Sequence, residues 1–214
     1  LRISDVYKSK ADFRSSIKFL DSTYSIYKPP EIKNKLIEMH LFSGNPDTAL
    51  FLINDWFKTF SPDNKYFNDL MELTDFINHF YTNVGEEDKE NFKNYLKAES
   101  LLKQRKNFES NQLLEHIQKN NPNSKILPLL SLRRAIILIR LQRYDEAIIQ
   151  LNSLKGTIFS DRGVILSGQI YEKFYNAPSK AMEFYIQIID DYPNSVFSEP
   201  VRYHIRKLKD NETL

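Results

Sequence analysis

The fold is decided by residues 161–208, which read DRGVILSGQIYEKFYNAPSKAMEFYIQIIDDYPNSVFSEPVRYHIRKL. Apolar residues recur at helical spacing on both sides of the short turn at residues 176–178, which predicts two amphipathic helices. The break at residues 192–195 ends the second helix, and a basic third helix follows. The small residues Gly168 and Ala181 predict a close crossing of the first two helices, because a large side chain at either position would overpack the contact.

The composition of the whole chain points the same way. Five glycines in 214 residues are few for a strand-rich fold, so we expect an all-α protein. The absence of cysteine excludes disulfides and thiolate metal sites. No stretch of the sequence approaches the roughly 20 apolar residues of a membrane span. The polar start has no signal-peptide core, and Leu1 stands where a methionine would begin a chain, so we expect a processed product or a fragment.

The charge is uneven along the chain. The net charge of +2 conceals a segment of net −7 over residues 45–92 and one of net +8 over residues 93–143. Either the faces of neighbouring helices complement each other, or the surface is bipolar and steers a charged partner.

The same pattern of helices and turns precedes the deciding stretch and repeats. The break Asn-Pro-Asn-Ser at 121–124 returns as Tyr-Pro-Asn-Ser at 192–195, two periods of about 35 residues later. The small residues Ala98, Ala135 and Gly168 lie 37 and 33 positions apart. A period near 34 that is built from two helices indicates a solenoid.

These residues resemble the tetratricopeptide repeat (TPR) family, which places small, aromatic and proline residues at fixed positions. The last repeat matches at Gly168, Tyr171, Ala181, Tyr185 and Pro193, with one extra residue in its turn. The repeat before it matches at Ala135, Leu138, Tyr144, Ala147 and Leu151, with Phe159 in place of the proline. Two earlier repeats match at Ile37, Gly44, Ala49 and Ile53, and at Ala98, Leu101, Phe108, Leu114 and Pro122, with Ser110 or Asn111 in the alanine position of the latter.

The resemblance implies a right-handed α-solenoid of antiparallel helix pairs with a C-terminal capping helix, a single domain over residues 1–214. Its parts are a half repeat at 11–28, a repeat at 31–64, an extra helix at 65–84, repeats at 86–122, 127–159 and 161–195, and the capping helix at 196–210. In the capping helix we expect Val201, Ile205 and Leu208 to face inward, and the basic residues to face outward: Arg202, Arg206, Lys207 and Lys209. This tail is similar to the ends of bacterial cell-envelope TPR proteins, which favours the periplasm or cell envelope over the cytoplasm.

Nothing in the sequence supports catalysis. The four histidines are scattered over different helices without the spacing of metal ligands, and no glycine-rich phosphate loop is present. The acidic pairs Glu86-Glu87 and Asp190-Asp191 lie at helix ends, where they suit the helix dipole. We therefore predict a protein that is not an enzyme, with no cofactor, no metal and no small-molecule substrate.

The family resemblance implies a partner-binding face on the first helix of each repeat. Its positions fall on Asn34, Glu38, Leu41 and Phe42; on Tyr95, Glu99, Leu102 and Lys103; on Leu132, Ile136, Ile139 and Arg140; and on Ile165, Gln169, Glu172 and Lys173. This set departs from the carboxylate clamp of chaperone-binding members. Its apolar middle, in the predicted helix 127–142, suits an amphipathic helix or an extended apolar segment of another protein.

The leading hypothesis is thus a protein-interaction scaffold in a bacterial cell-envelope or secretion assembly. The first alternative is a regulatory or substrate-recruiting module of a larger enzyme. Nucleic-acid binding is less favoured, because the segment of net +8 contains an apolar helix instead of a basic face with stacking aromatics. The oligomeric state stays open.

Overall fold

A computed structural model describes residues 12–59 and 61–212 of the chain. This part contains eleven α-helices, one π-helical turn and no strand, so the predicted all-α class is confirmed. The bounds are α1 Phe13–Tyr27, α2 Pro30–Phe42, α3 Pro46–Phe57, α4 Phe67–Ile77, the π turn Asn78–Thr82, α5 Glu86–Lys103, α6 Asn107–Asn120, α7 Leu127–Arg140, α8 Tyr144–Asn152, α9 Ser160–Lys173, α10 Pro178–Asp191 and α11 Ser198–Glu212. Ala11 and Phe60, which fall in predicted helices, lie outside the described residues.

The chain divides into two compact units, Leu1–Ile126 and Leu127–Leu214. In the N-terminal unit, consecutive helices pack as the pairs α1–α2, α2–α3, α3–α4 and α5–α6, and α2 also packs on α5. In the C-terminal unit, each helix from α7 to α11 packs on the next, and α7 also contacts α9. In both units the first helices of consecutive hairpins therefore touch each other.

Four helical hairpins have turns of similar geometry: α2–α3, α5–α6, α7–α8 and α9–α10. Each turn contains a residue in the left-handed region: Gly44 (φ 80°), Arg105 (φ 63°), Gln142 (φ 60°) and Asn176 (φ 49°). In the first three hairpins the following N–H donates to the carbonyl five residues earlier, at 2.9–3.0 Å. In the fourth, the Ala177 N–H reaches the Tyr171 carbonyl six residues earlier, which confirms the extra residue predicted in this turn.

A small residue follows each of these turns at the same position of the second helix. Ala49, Ser110, Ala147 and Ala181 are each 0% exposed. Ser110 stands in the alanine position of its hairpin, and its hydroxyl donates to the carbonyl of Ala98 at 2.9 Å. The polar side chain is tolerated there because its hydrogen bond is made within the crossing.

The crossing of α9 and α10 is as close as the sequence predicts. A Cβ atom added at Gly168 would lie 2.7 Å from Cε1 of Tyr185 and 3.2 Å from Cβ of Phe184. Ala181, on the facing helix, is fully buried. Glycine is needed here because the ring of Tyr185 occupies the space that a side chain would take.

The linkers that follow the four hairpins also contain turns of the same kind. Asn64, Ser124, Thr157 and Ser195 each accept, through the side-chain oxygen, a hydrogen bond from the N–H two residues later. Two of these linkers are also hydrogen-bonded to the first turn of the first helix in the hairpin that they end. The hydroxyl of Ser124 donates to Asp88 at 2.5 Å, and that of Ser195 donates to Asp161 at 2.6 Å.

Helix α11 covers an apolar face of the last hairpin. Val201 and Ile205 are buried in one cluster with Tyr185 and Ile188, and Leu208 packs against the same cluster. Arg202, Arg206 and Lys207 are exposed. The predicted inward and outward sets are thus confirmed, except for Lys209, whose side chain lies outside the described part of the chain.

The predicted helix at 65–84 consists of α4 and the π turn. The bond from the Asn83 N–H to the Asn78 carbonyl, five residues earlier, marks the wider turn. The segment is held by aromatic contacts: the ring of Phe76 lies 5.7 Å from that of Phe92, and the ring of Tyr81 lies 5.8 Å from it. The Tyr81 hydroxyl also donates to Asp47 at 2.6 Å.

Candidate functional site

The predicted partner-binding positions show a common gradient of exposure along α5, α7 and α9. The first position of each helix is buried (Tyr95, Leu132 and Ile165), and the last is exposed (Lys103, Arg140 and Lys173). Ile136, Ile139 and Gln169, in between, are half-buried, whereas Glu99 is buried. Among the predicted positions, the last one of each helix is therefore the most accessible to a partner, while the first one lies in the core.

In the N-terminal unit most of the predicted positions already have contacts within the protein. Asn34 is half-buried, and Glu38 forms an ion pair with Lys35 at 2.9 Å. The ring of Tyr95 lies 5.8 Å from that of Phe92 in the aromatic cluster. Lys103 is exposed, and its ammonium group lies 5.5 Å from the ring centre of Phe42, which joins α5 to α2.

The C-terminal unit places all four predicted positions of α9 at a pocket of about 280 Å³ between α9 and α11. These are Ile165, Gln169, Glu172 and Lys173. His204 of α11 and Tyr185 of α10 also line the pocket. The remaining lining is apolar and consists of Phe197, Pro200 and Val201. We call this cavity the α9–α11 pocket.

A carboxylate is fixed inside the α9–α11 pocket by two donors. The hydroxyl of Tyr185 donates to Oε2 of Glu172 at 2.5 Å, and Nε2 of His204 lies 2.9 Å from the same oxygen. The rings of Tyr185 and His204 meet edge to face, with centres 5.3 Å apart. The positions of these three side chains thus depend on the packing of α9, α10 and α11 together.

The surroundings keep this carboxylate ionised. Burial raises the pKa of Glu172, but the hydrogen bonds from Tyr185 and His204 outweigh burial and lower the pKa below its ordinary value of 4.5. Burial, together with the bond to Glu172, raises the pKa of Tyr185. The pocket therefore presents a negative charge beside a neutral phenol at neutral pH.

Sequence reasoning missed this group because its members are far apart in the chain. Glu172 and His204 are 32 residues apart. The spacing of the histidines gives no sign of a site, and Tyr185 stands out in the sequence only as a match to the repeat. The only signal in the sequence is that the separation of Glu172 and His204 is close to one repeat, which aligns the two residues once the period is known.

A second cavity in the C-terminal unit is less suited to a ligand. It has a volume of about 270 Å³ and lies where α8, α9 and α10 meet. Its serines are engaged within the protein: Ser160 donates to the carbonyl of Leu154, and Ser167 donates to that of Gly163, both at 2.9 Å. The O–H groups of both serines are thus already engaged in hydrogen bonds to backbone carbonyls.

No group of acidic or histidine side chains among the described residues could hold a metal ion. No described helix combines the length and the apolar composition that a membrane span requires. Comparison with protein-family models finds no matching family, and comparison with curated proteins finds no match.

Proposed function

We propose that this chain is a protein-interaction scaffold of the TPR type, without a catalytic role. In the proposal its hairpins form a right-handed solenoid, and the accessible ends of the first helices bind a segment of another protein. The observation that carries the proposal is the occurrence of four similar hairpins, each with a left-handed residue in its turn and a fully buried small residue five positions later.

Repetition of this kind favours a scaffold on physical grounds. A single hairpin cannot bury both of its faces, so each copy is stabilised by its neighbours, and the stack gains an extended surface instead of a closed pocket. The packing of α2 on α5 and of α7 on α9 supports such stacking within each unit.

The chemistry of α7 favours a protein segment as the partner. Ile136 and Ile139 are half-buried, and Arg140 is exposed at the end of the helix. An apolar strip that ends in a cation suits an amphipathic helix or an extended segment with apolar and acidic residues. A bacterial cell-envelope or secretion assembly as the setting is part of the proposal and rests on the resemblance of the tail alone.

The proposal is tested by affinity capture with charge variants of α7. Arg140→Glu reverses an exposed charge on the proposed face, Ile136→Glu puts a charge into its apolar strip, and Lys180→Glu makes the same reversal on α10. We expect one protein, identified by mass spectrometry, to be captured by wild type and by Lys180→Glu but not by the two α7 variants, with helicity unchanged in circular dichroism. Equal capture by all four proteins would contradict the proposal.

A further inference from the structure

The α9–α11 pocket holds an anion that the protein leaves partly unsatisfied. Both hydrogen bonds that Glu172 forms among the described residues end on Oε2. Its side chain is 19% exposed, so Oε1 is the oxygen that remains for a ligand. A partly buried carboxylate with an open oxygen favours a charge-assisted hydrogen bond from a cation.

The rest of the pocket suits the stem of a single long side chain. Ile165 and Val201 are buried at its wall, and Phe197 is half-buried beside them. At about 280 Å³ the cavity lies at the lower limit of the roughly 300–1,000 Å³ that are typical of small-molecule sites. Arginine and lysine have an apolar stem and a charged end, which matches apolar walls around one carboxylate.

We propose that the α9–α11 pocket receives an arginine or lysine side chain of a protein partner, whose charged end binds Oε1 of Glu172. This inference rests on the proposed scaffold function and adds the chemistry of the partner. His204 and Tyr185 act as positioning residues, since they hold Oε2 and thereby aim Oε1 at the incoming cation.

The charge of Lys173 opposes a cation. The residue lies at the edge of the pocket, it is exposed, and no ion pair with Glu172 is formed in the described part of the chain. Its charge is therefore screened by solvent, while the charge of Glu172 is partly desolvated. Removal of the Lys173 charge should tighten the binding of a cation, which gives the proposal a test of opposite sign.

The test is a titration of the full chain with N-acetyl-arginine methylamide, followed by amide resonances in two-dimensional NMR. The matched probe is the citrulline derivative, which has nearly the same shape but no charge. We expect saturable shifts in α9 and α11 with the arginine probe, and roughly ten-fold or weaker affinity for citrulline, because a charge-assisted bond is lost.

Variants fix the location of the site. Glu172→Gln should weaken the binding of the arginine probe roughly ten-fold or more, since it removes the charge and keeps the shape. Lys173→Gln should tighten the binding because it removes a like charge, and Gln169→Glu should tighten it by a second carboxylate. The last two variants keep the test decisive if Glu172→Gln disturbs the fold.

Equal affinity for arginine and citrulline, no effect of Glu172→Gln in a folded protein, or no saturation by the arginine probe would each overturn the inference. In each case the capture experiment on Arg140 still decides the scaffold function separately. Conversely, charge-dependent binding of the probe would support the pocket even if no protein were captured through α7.

Discussion

The two units contain equivalent tyrosine–aspartate hydrogen bonds, but the tyrosine comes from a different kind of segment in each. In both, an aspartate in the first turn of a hairpin's second helix accepts a bond from a tyrosine further along the chain. In the C-terminal unit Asp145 accepts from Tyr175, in the turn of the next hairpin, at 2.5 Å. In the N-terminal unit Asp47 accepts from Tyr81, in the π turn of the inserted segment.

This comparison shows what an insertion into a repeat must preserve. Residues 67–82 separate the hairpins α2–α3 and α5–α6, yet α2 still packs on α5 as α7 contacts α9. The insertion supplies the tyrosine that a following hairpin would supply, and its aromatic rings pack on α5. The first helices of consecutive hairpins thus remain in contact although the connection between the hairpins is much longer in the N-terminal unit.

The largest expected effect on stability comes from removing the side chain that anchors the inserted segment, residues 67–82. Phe92 is fully buried, and the rings of Phe76 and Tyr81 lie within 6 Å of its ring. Phe92→Ala should lower the free energy of unfolding by about 3–5 kcal/mol, because it leaves a cavity. Denaturant unfolding measures the loss, and hydrogen exchange should show that residues 67–82 lose protection first.

Phe108→Ala in the same unit is the control for Phe92→Ala. Phe108 is 55% exposed, so its removal should change the stability by about 0.5 kcal/mol or less. Equal losses from the two variants would mean that Phe92 does not anchor the segment.

The second prediction concerns the close crossing in the C-terminal unit. Gly168→Ser should cost about 1–3 kcal/mol, because its Cβ would overlap the ring of Tyr185. Gly85→Ser, at the start of α5, meets no atom within 4 Å and should be neutral or slightly stabilising. Thermal unfolding of the two variants compares the sites; a neutral Gly168→Ser would show that α9 and α10 are further apart.

The third prediction tests whether the two units use equivalent linkers. Ser124→Ala and Ser195→Ala each remove the hydroxyl bond to an aspartate and the bond that the same oxygen accepts from the N–H two residues later, so each should cost about 1–2 kcal/mol. The midpoint of urea unfolding measures both. A large difference between the two would show that the shared geometry does not carry equal stability.

The smallest effect distinguishes the two tyrosine–aspartate bonds. The bond to Asp145 raises the pKa of Tyr175 to about 12, whereas burial is the main cause of the raised pKa of Tyr81. Asp145→Ala should therefore return the pKa of Tyr175 close to its ordinary value of 10, and Asp47→Ala should return that of Tyr81 only in part. NMR titration of the tyrosine rings measures both.

The sign of the pH dependence follows from the raised pKa. Because the folded pKa of Tyr175 exceeds the unfolded one, its bond stabilises the fold fully below about pH 10 and ceases to do so as the pH rises through about 12. Asp145→Ala should remove this part of the alkaline loss of stability. An unchanged alkaline profile would contradict the assignment.

Local features of the fold could be predicted from the sequence because they depend on residues close together. Gly168 and Ala181 predicted the close crossing, and the extra residue in the last turn is seen in the bond from Ala177 to Tyr171. Val201 and Ile205 predicted the inward face of α11. In these cases side-chain size, helical spacing or the length of a turn decides the outcome.

The candidate site was less predictable, because it depends on packing between helices. Tyr95, Glu99 and Leu132 occupy positions of the expected partner face, yet neighbouring side chains bury them. The bonds of Tyr185 and His204 to Glu172 join three helices, and no local pattern records them. The π turn likewise gives no signal in the apolar spacing of residues 65–84.

The central claim is that the exposed ends of the first helices bind a partner and that the second helices do not. Lys173 of α9 and Lys180 of α10 are both exposed lysines of one hairpin, which makes them a matched pair. A photo-crosslinking amino acid at each position, with the partner identified in the capture experiment added in purified form, measures the claim directly. We predict a covalent adduct from position 173 and none from position 180; adducts from position 180 alone, or equal adducts from both, would contradict the account.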